Sequence, residues 1–208
     1  MKIRLGLTFL ATGTFLLAVV SACSDDDAGR SPADPTSSAT PSAMSPSTSA
    51  SPTSPSDAAV TAATSLMETY YAVVDELRTD PASDLKKLES VATSTQLTAQ
   101  QTFISRQREQ SRRQTGTTTI DTLTVQSVNL DNSDPDAGKV PTVVLDVCWD
   151  VSKVDVLDES GKSIVPQDRP DTGWTRYTVA NYEYAADPTG GWRVVTGEDL
   201  EQAPCADS

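Results

Sequence analysis

The stretch that decides the fold is PTVVLDVCWDVSKVDVL, residues 141–157. Val143, Leu145, Val147, Trp149 and Val151 alternate with Val144, Asp146, Cys148 and Asp150. Successive side chains of a strand point to opposite faces, so a period of two rich in β-branched residues marks a strand with one buried side. The odd-numbered set is expected to face a core, and Asp146, Cys148 and Asp150 the outer face of a sheet.

Strand patterning extends in both directions from this segment. TTTIDTLTVQSVNL (117–130) reads as a strand, SDPDAGK (133–139) as a turn, and DESGKS (158–163) as the next turn. A long strand around GWTRYTVANYEYAAD (173–187), the turn DPTGG and a final WRVVTG (192–197) complete the set. Further upstream the period lengthens. In DAAVTAATSLMETYYAVVDELRTD (57–80), Val60, Ala63, Met67, Tyr70, Val74 and Leu77 recur at helical spacing, with Asp57 as the expected N-cap and Pro81 beyond the end. A shorter helix is expected in SDLKKLESVA, capped by Ser83, with Leu85, Leu88 and Val91 on one face. A third runs from about Thr95 to Gln114, anchored by Leu97, Phe103 and Ile104. Helices first and antiparallel strands after is the α+β order: three helices covering one face of a curved sheet.

This element order, with GWRVV opening the last strand, resembles the cone-shaped fold of nuclear transport factor 2 and its ketosteroid isomerase and SnoaL-like relatives. The resemblance covers nearly all of residues 58–208. It implies a pocket between the helices and the concave sheet, which some members use for isomerase or dehydratase chemistry and many only for binding. The enzymes rely on a pocket carboxylate with a Tyr or an Asp/His partner that stabilises an oxyanion. This chain departs from that pattern, because it contains no histidine and places Asp146 and Asp150 on the expected outer face. Asp121 is the alternative carboxylate and Tyr70 or Tyr71 the hydroxyl donor; the plainer reading of both tyrosines is core aromatics of the first helix.

The amino-terminal part reads differently. Lys2 and Arg4 precede an apolar run from Leu5 to Ala22, interrupted by Thr8, Thr12, Gly13 and Thr14 and followed by Asp25, Asp26 and Asp27 rather than a basic cluster. Such a layout is an export signal, residues 1–22, rather than a membrane span. Val20-Ser21-Ala22-Cys23 resembles the bacterial lipobox. The resemblance implies a diacylglyceryl thioether on Cys23, cleavage before it, and an acylated, palmitate-type amino terminus. Two or three acyl chains hold a protein on a membrane far longer than one. The alternative is an ordinary signal peptide that releases a secreted protein. Residues 23–57 are a Ser/Pro/Thr-rich linker: from 24 to 57 the chain has 11 Ser, 6 Pro and 4 Thr among 34 residues, too little to bury against chain entropy. It is expected to be a disordered tether.

Of the three cysteines, assigning Cys23 to lipid leaves Cys148 and Cys205 as an even pair that an exported chain would oxidise; two separate buried thiols are the alternative. No metal ligand set is expected without histidine, and no cofactor or catalytic residue is assigned. NSDPDAG has Ala137 where a calcium loop needs glycine and Val143 where it needs a bidentate Glu, so it reads as a turn. A net charge of −13 argues against nucleic acid, whose phosphates require a positive footprint. The concentrated positive charge is Arg106, Arg108, Arg112 and Arg113 on the third helix. It reads either as a docking patch for an acidic partner or as a solvated face with a Glu109–Arg113 pair. Trp149, Trp174 and Trp192 with Tyr177, Tyr182 and Tyr184 could line a ligand pocket; the plainer reading puts Trp149 and Trp192 in the core and the tyrosines on the rim.

The expectation is a lipid-anchored protein on the extracytoplasmic face of the cell membrane. Its domain 58–208 would be a non-catalytic binding or interaction module for an envelope protein or a small apolar ligand. The alternative function is a small-molecule isomerase or dehydratase using the same pocket, and a third class is a structural envelope component.

Overall fold

In the computed structural model, which describes residues 54–201 and 205, the chain enters helix α1 (Pro55–Thr79) from Ser54. The Ser54 side chain accepts a hydrogen bond from the Asp57 amide at 3.1 Å, and Pro55 sits at the first helical positions, where its missing N–H costs nothing. Asp57 therefore lies in the first turn instead of capping it, and the helix begins inside the stretch assigned to the tether. The Ser-Pro pair that starts it is indistinguishable by composition from the Ser-Pro pairs before it.

The buried stripe of α1 is Ala59, Ala63, Met67, Tyr70, Val74 and Leu77, with Ala59 in the place expected for Val60. A 3-10 helix follows, Leu85–Ser90, capped by the Asp84 side chain on the Lys86 amide. Ser83, the expected cap, instead donates its hydroxyl to Glu76 at 2.7 Å. Helix α2 (Ser94–Glu109) buries Gln96 and Ile104, while Phe103, expected as an anchor, is 48% exposed beneath the guanidinium of Arg78. The helix stops at Glu109, short of the expected Gln114. Ser111 adopts a left-handed φ of 51° and the Arg112 amide returns to the Gln107 carbonyl, a C-terminal closure that turns the chain into a strand.

The strands are β1 (Arg113–Thr115), β2 (Thr119–Asn129), β3 (Thr142–Asp150), β4 (Asp155–Leu157), β5 (Thr172–Asn181) and β6 (Trp192–Leu200). β2, β3, β5 and β6 form a four-stranded antiparallel sheet in that order, and β1 pairs with β4 in a two-stranded ribbon. Between β2 and β3, Pro135–Ala137 makes a 3-10 turn capped by Asp134. Register shifts interrupt the β2–β3 ladder twice and the β5–β6 ladder once, places where a sheet bends. The architecture is thus α+β, with helices against one face of an antiparallel sheet.

Val143, Leu145 and Val147 are fully buried on the helix side, joined by Tyr177, Val179, Trp192 and Val194 from β5 and β6. The Thr93 amide and the Val91 carbonyl bond to Val194, so the segment before α2 covers the outer edge of β6. On the opposite face Asp146 and Arg176 stand directly across the ladder and join at 2.6 and 2.7 Å. Cys148, on that same face, is bonded to Cys205 with a Cα–Cα distance of 6.0 Å. No helix among the described residues is long and apolar enough to cross a membrane.

Candidate functional site

At one end of the sheet, β2 and β5 begin while β3 and β6 finish, and α1 crosses above them. A pocket of about 300 Å³ opens there, lined by Tyr71 and Arg78 of α1, Thr118, Trp149, Tyr177 and Asp199, and closed on one side by Val151, Val154, Val156 and Arg169. A second hollow of about 670 Å³ lies between α1 and the start of β2 and shares Tyr71 and Thr118 with the first.

The pocket's aromatic wall requires two glycines. The Trp149 indole crosses the β5 backbone so closely that a Cβ on Gly173 would stand 2.4 Å from its ring. Gly197 makes the same allowance for Tyr177, whose ring would lie 2.8 Å from an added Cβ. Trp149 Nε1 then donates to Thr175 Oγ1 at 3.0 Å, and Thr175 donates to Asp199 Oδ1 at 2.8 Å. Beside this relay the hydroxyls of Tyr71 and Tyr177 share a hydrogen bond of 3.0 Å. Tyr70, one residue back, is fully buried and takes a hydrogen bond from Gln96.

Burial is the main reason the phenols of Tyr71 and Tyr177 are held above the ordinary tyrosine range; Tyr71 raises Tyr177 further, the hydrogen bond from Tyr177 partly offsets the rise at Tyr71, and the charge of Asp199 raises both. Both stay protonated at neutral pH, and one of them donates the hydrogen bond they share. Arg78 is pushed the other way: burial lowers its pKa, Asp75 opposes that, and the nearby positive charge of Arg169 adds to it. Arg169 Nη2 donates to the carbonyls of Val151 at 2.7 Å and Val154 at 3.1 Å, which fixes the segment leading into β4. Asp75 is the buried carboxylate of α1. It accepts from Gln114 Nε2 at 2.6 Å, from the Thr118 amide at 2.6 Å and from the Thr118 hydroxyl at 3.0 Å, so its oxygens hold the β1–β2 connection against the helix.

The expected site residues distribute unevenly. Tyr71 lines the pocket and Tyr70 fills the core behind it. Asp121 is exposed on β2 and takes no part. Asp146 and Asp150 lie away from the pocket, Asp146 held by Arg176 and Asp150 by the Ser152 amide. Trp149, expected in the core, is half-buried at the pocket wall, and Tyr177, expected on the rim, is buried in the pocket floor; Trp192 is in the core. The four arginines are held differently. Arg108 is turned inward to the Leu77 and Asp80 carbonyls at the end of α1, Arg106 and Arg112 are exposed, and Arg113 belongs to β1 opposite Leu157. With the helix ended at Glu109, the expected Glu109–Arg113 helical pair has no helix to sit on. Cys23, the expected lipid site, lies outside the described residues. Arg78, Arg169 and Asp199 carry no local motif. Arg78 and Asp199 stand near the ends of α1 and β6, and Arg169 lies in a Pro/Asp-rich loop.

No family model matches the chain and no curated protein matches it at a significant level. Among solved structures, the intermembrane space region of the chloroplast protein ARC6 is similar over 66% of this chain and 93% of its own, at 16% identity and a TM-score of 0.45. A periplasmic fragment of TraM is similar over 69% of this chain and 95% of its own, at 10% identity and a TM-score of 0.34. Both are distant likenesses.

Proposed function

We propose that this is an extracytoplasmic protein, anchored by lipid at Cys23, whose cone-like α+β domain of the nuclear transport factor 2 type binds a small ligand without transforming it. The observation that carries the binding reading is the pocket at the open end of the sheet. It is preformed, walled by Trp149 and three valines, and furnished with a few fixed polar groups, the composition usual for a ligand site. The non-catalytic part rests on how those polar groups are used. Asp199 accepts from Thr175, the two phenols bond to each other and stay protonated, and Arg169, a permanent cation, donates from Nη2 to backbone carbonyls. A general base needs a free carboxylate or imidazole poised near the working pH, and the chain has no histidine.

The Cys148–Cys205 disulfide supports an oxidising compartment, and its use of both domain cysteines leaves Cys23 for lipid. Helices lying over a bulged antiparallel sheet, with a cleft at its open end, support the cone assignment. The envelope protein or small ligand named by the sequence is accordingly sought at the cleft.

A second reading has one observation in its favour: Asp199 shares the pocket with Tyr71 and Tyr177, the carboxylate-and-phenol pairing of isomerase or dehydratase sites. One experiment separates the two. The full-length chain is mixed with a panel of small carboxylates, amides, amines and alcohols, and ligand-observed NMR follows binding and chemical identity over hours. Compounds that bind and return unchanged fit the binding module; conversion that Asp199→Asn abolishes establishes the enzyme. The anchor is tested separately, since Cys23→Ala should abolish metabolic labelling by palmitate, and persistent labelling contradicts it.

A further inference from the structure

We infer that the pocket bounded by Arg78, Arg169 and Trp149 selects an organic anion, a carboxylate carried on an apolar or aromatic body. This rests on the binding reading above and names its ligand class. Residues 58–208 carry 24 acidic and 13 basic residues, yet the pocket lining reverses the balance, with two guanidinium groups and one carboxylate. Arg78 and Arg169 approach closely enough for Arg169 to disfavour the charge on Arg78. Two like charges drawn into one half-buried pocket repel each other unless an anion lies between them.

Asp75 offsets part of that repulsion at Arg78 through space without an ion pair, but no carboxylate among the described residues bridges the two guanidinium groups. Among the described residues no salt bridge joins Arg78 to an acid. Asp199 is turned to Thr175, and Asp75 is occupied by Gln114 and Thr118. Arg169 reaches Asp171 only at 3.6 Å, where that carboxylate is 63% exposed. Arg78 Nε donates to Gln107 at 3.2 Å and its plane lies over Phe103, which fixes the guanidinium while its terminal nitrogens remain for a ligand. Arg169 Nε is buried and has no acceptor among the described residues. A guanidinium held in place with terminal N–H groups to spare is suited to the fork of a carboxylate. The remaining walls, the Trp149 indole with Val151, Val154 and Val156, suit an apolar body and offer nothing to a strongly hydrated inorganic ion.

The test uses the full-length chain with its disulfide intact and a matched pair of probes, hydrocinnamate and its neutral amide, in isothermal titration calorimetry at low and physiological salt. The acid should bind at least about tenfold more tightly than the amide. Arg78→Met should remove that preference, and Asp199→Asn, which takes away the one negative group among the described lining residues, should strengthen it. Because Asp199→Asn changes no buried ion pair, it keeps the test decisive even if Arg78→Met folds poorly. Equal binding of acid and amide overturns the anion selectivity while leaving the cleft as a binding site. Binding of neither probe to the folded chain overturns both the selectivity and the cleft as a small-ligand site.

Discussion

Tyr71 and Tyr177, 106 positions apart in the chain, meet hydroxyl to hydroxyl at 3.0 Å. The bond ties helix α1 to the middle of the sheet at the inner end of the pocket, so a single contact links the packing of the domain to the shape of its cleft. The rings of Tyr70, Tyr71 and Tyr177 stand edge to face around it, with centroids 5.6 to 6.2 Å apart.

Removing either hydroxyl should cost about 1 kcal/mol, the usual net value of a half-buried hydrogen bond. Tyr71→Phe and Tyr177→Phe should each lower the urea midpoint without changing the slope. The double variant should cost less than the two singles combined, because the second substitution removes a group already without its partner. Full additivity in the double-mutant cycle contradicts a direct bond.

The same three tyrosines set an alkaline limit. Burial raises the pKa of Tyr70, Tyr71 and Tyr177 above the ordinary 10.0, so the folded state holds their protons more tightly than the unfolded state does. Their contribution is complete below pH 10 and is lost as pH rises above it toward the folded values. Chemical denaturation at graded pH should show stability level up to about pH 10 and falling beyond it, more shallowly in Tyr71→Phe. A steep fall that begins well below pH 10 would contradict this assignment.

On the outer face, Asp146 is 4% exposed while the side chain of its partner Arg176 is 43% exposed. The two halves of this bridge are therefore unequal. Arg176→Met strands a buried carboxylate and should cost about 2 kcal/mol or more. Asp146→Asn leaves a guanidinium that water can reach and should cost about 1 kcal/mol. Denaturant titration of both variants checks the order, and the reverse ranking would be inconsistent with the burial seen here.

The disulfide closes a loop with a sequence separation of 57, for which the chain-entropy model gives about 4 kcal/mol. Cys148→Ser and Cys205→Ser should destabilise equally, and a reductant should lower the wild-type melting temperature to the level of the variants. A wild-type protein insensitive to reductant contradicts a structural role for the bond.

Much of the scaffold was legible in the sequence because it follows from periodicity. Val143, Leu145 and Val147 alternate onto the helix side, and Ala63, Met67, Tyr70, Val74 and Leu77 repeat along α1. Boundaries were less legible: Ser54 starts α1 within a Ser/Pro-rich stretch, and Ser111 ends α2 through a left-handed turn that its residue type does not announce. The pocket was hardly legible at all. Its polar members come from α1, the loop before β5, and the end of β6, so Arg78, Arg169 and Asp199 are brought together only by the tertiary fold. Tyr177 was read as a rim residue because its position under α1 depends on how far the helix reaches across the sheet. The arginine run shows the converse: Arg106, Arg108, Arg112 and Arg113 stand close in sequence, and the turn after Glu109 parts them between helix α2, the turn and β1.

A cleft that binds a ligand and performs no chemistry is read out by the indole N–H resonances of the three tryptophans in a two-dimensional NMR titration with small organic anions. Trp149, which lines the pocket and donates its N–H to Thr175, should shift on addition while Trp192 in the core stays fixed, and the added compound should be recovered unchanged. An unmoved Trp149 across the series, or conversion of the compound to product, would contradict such a cleft.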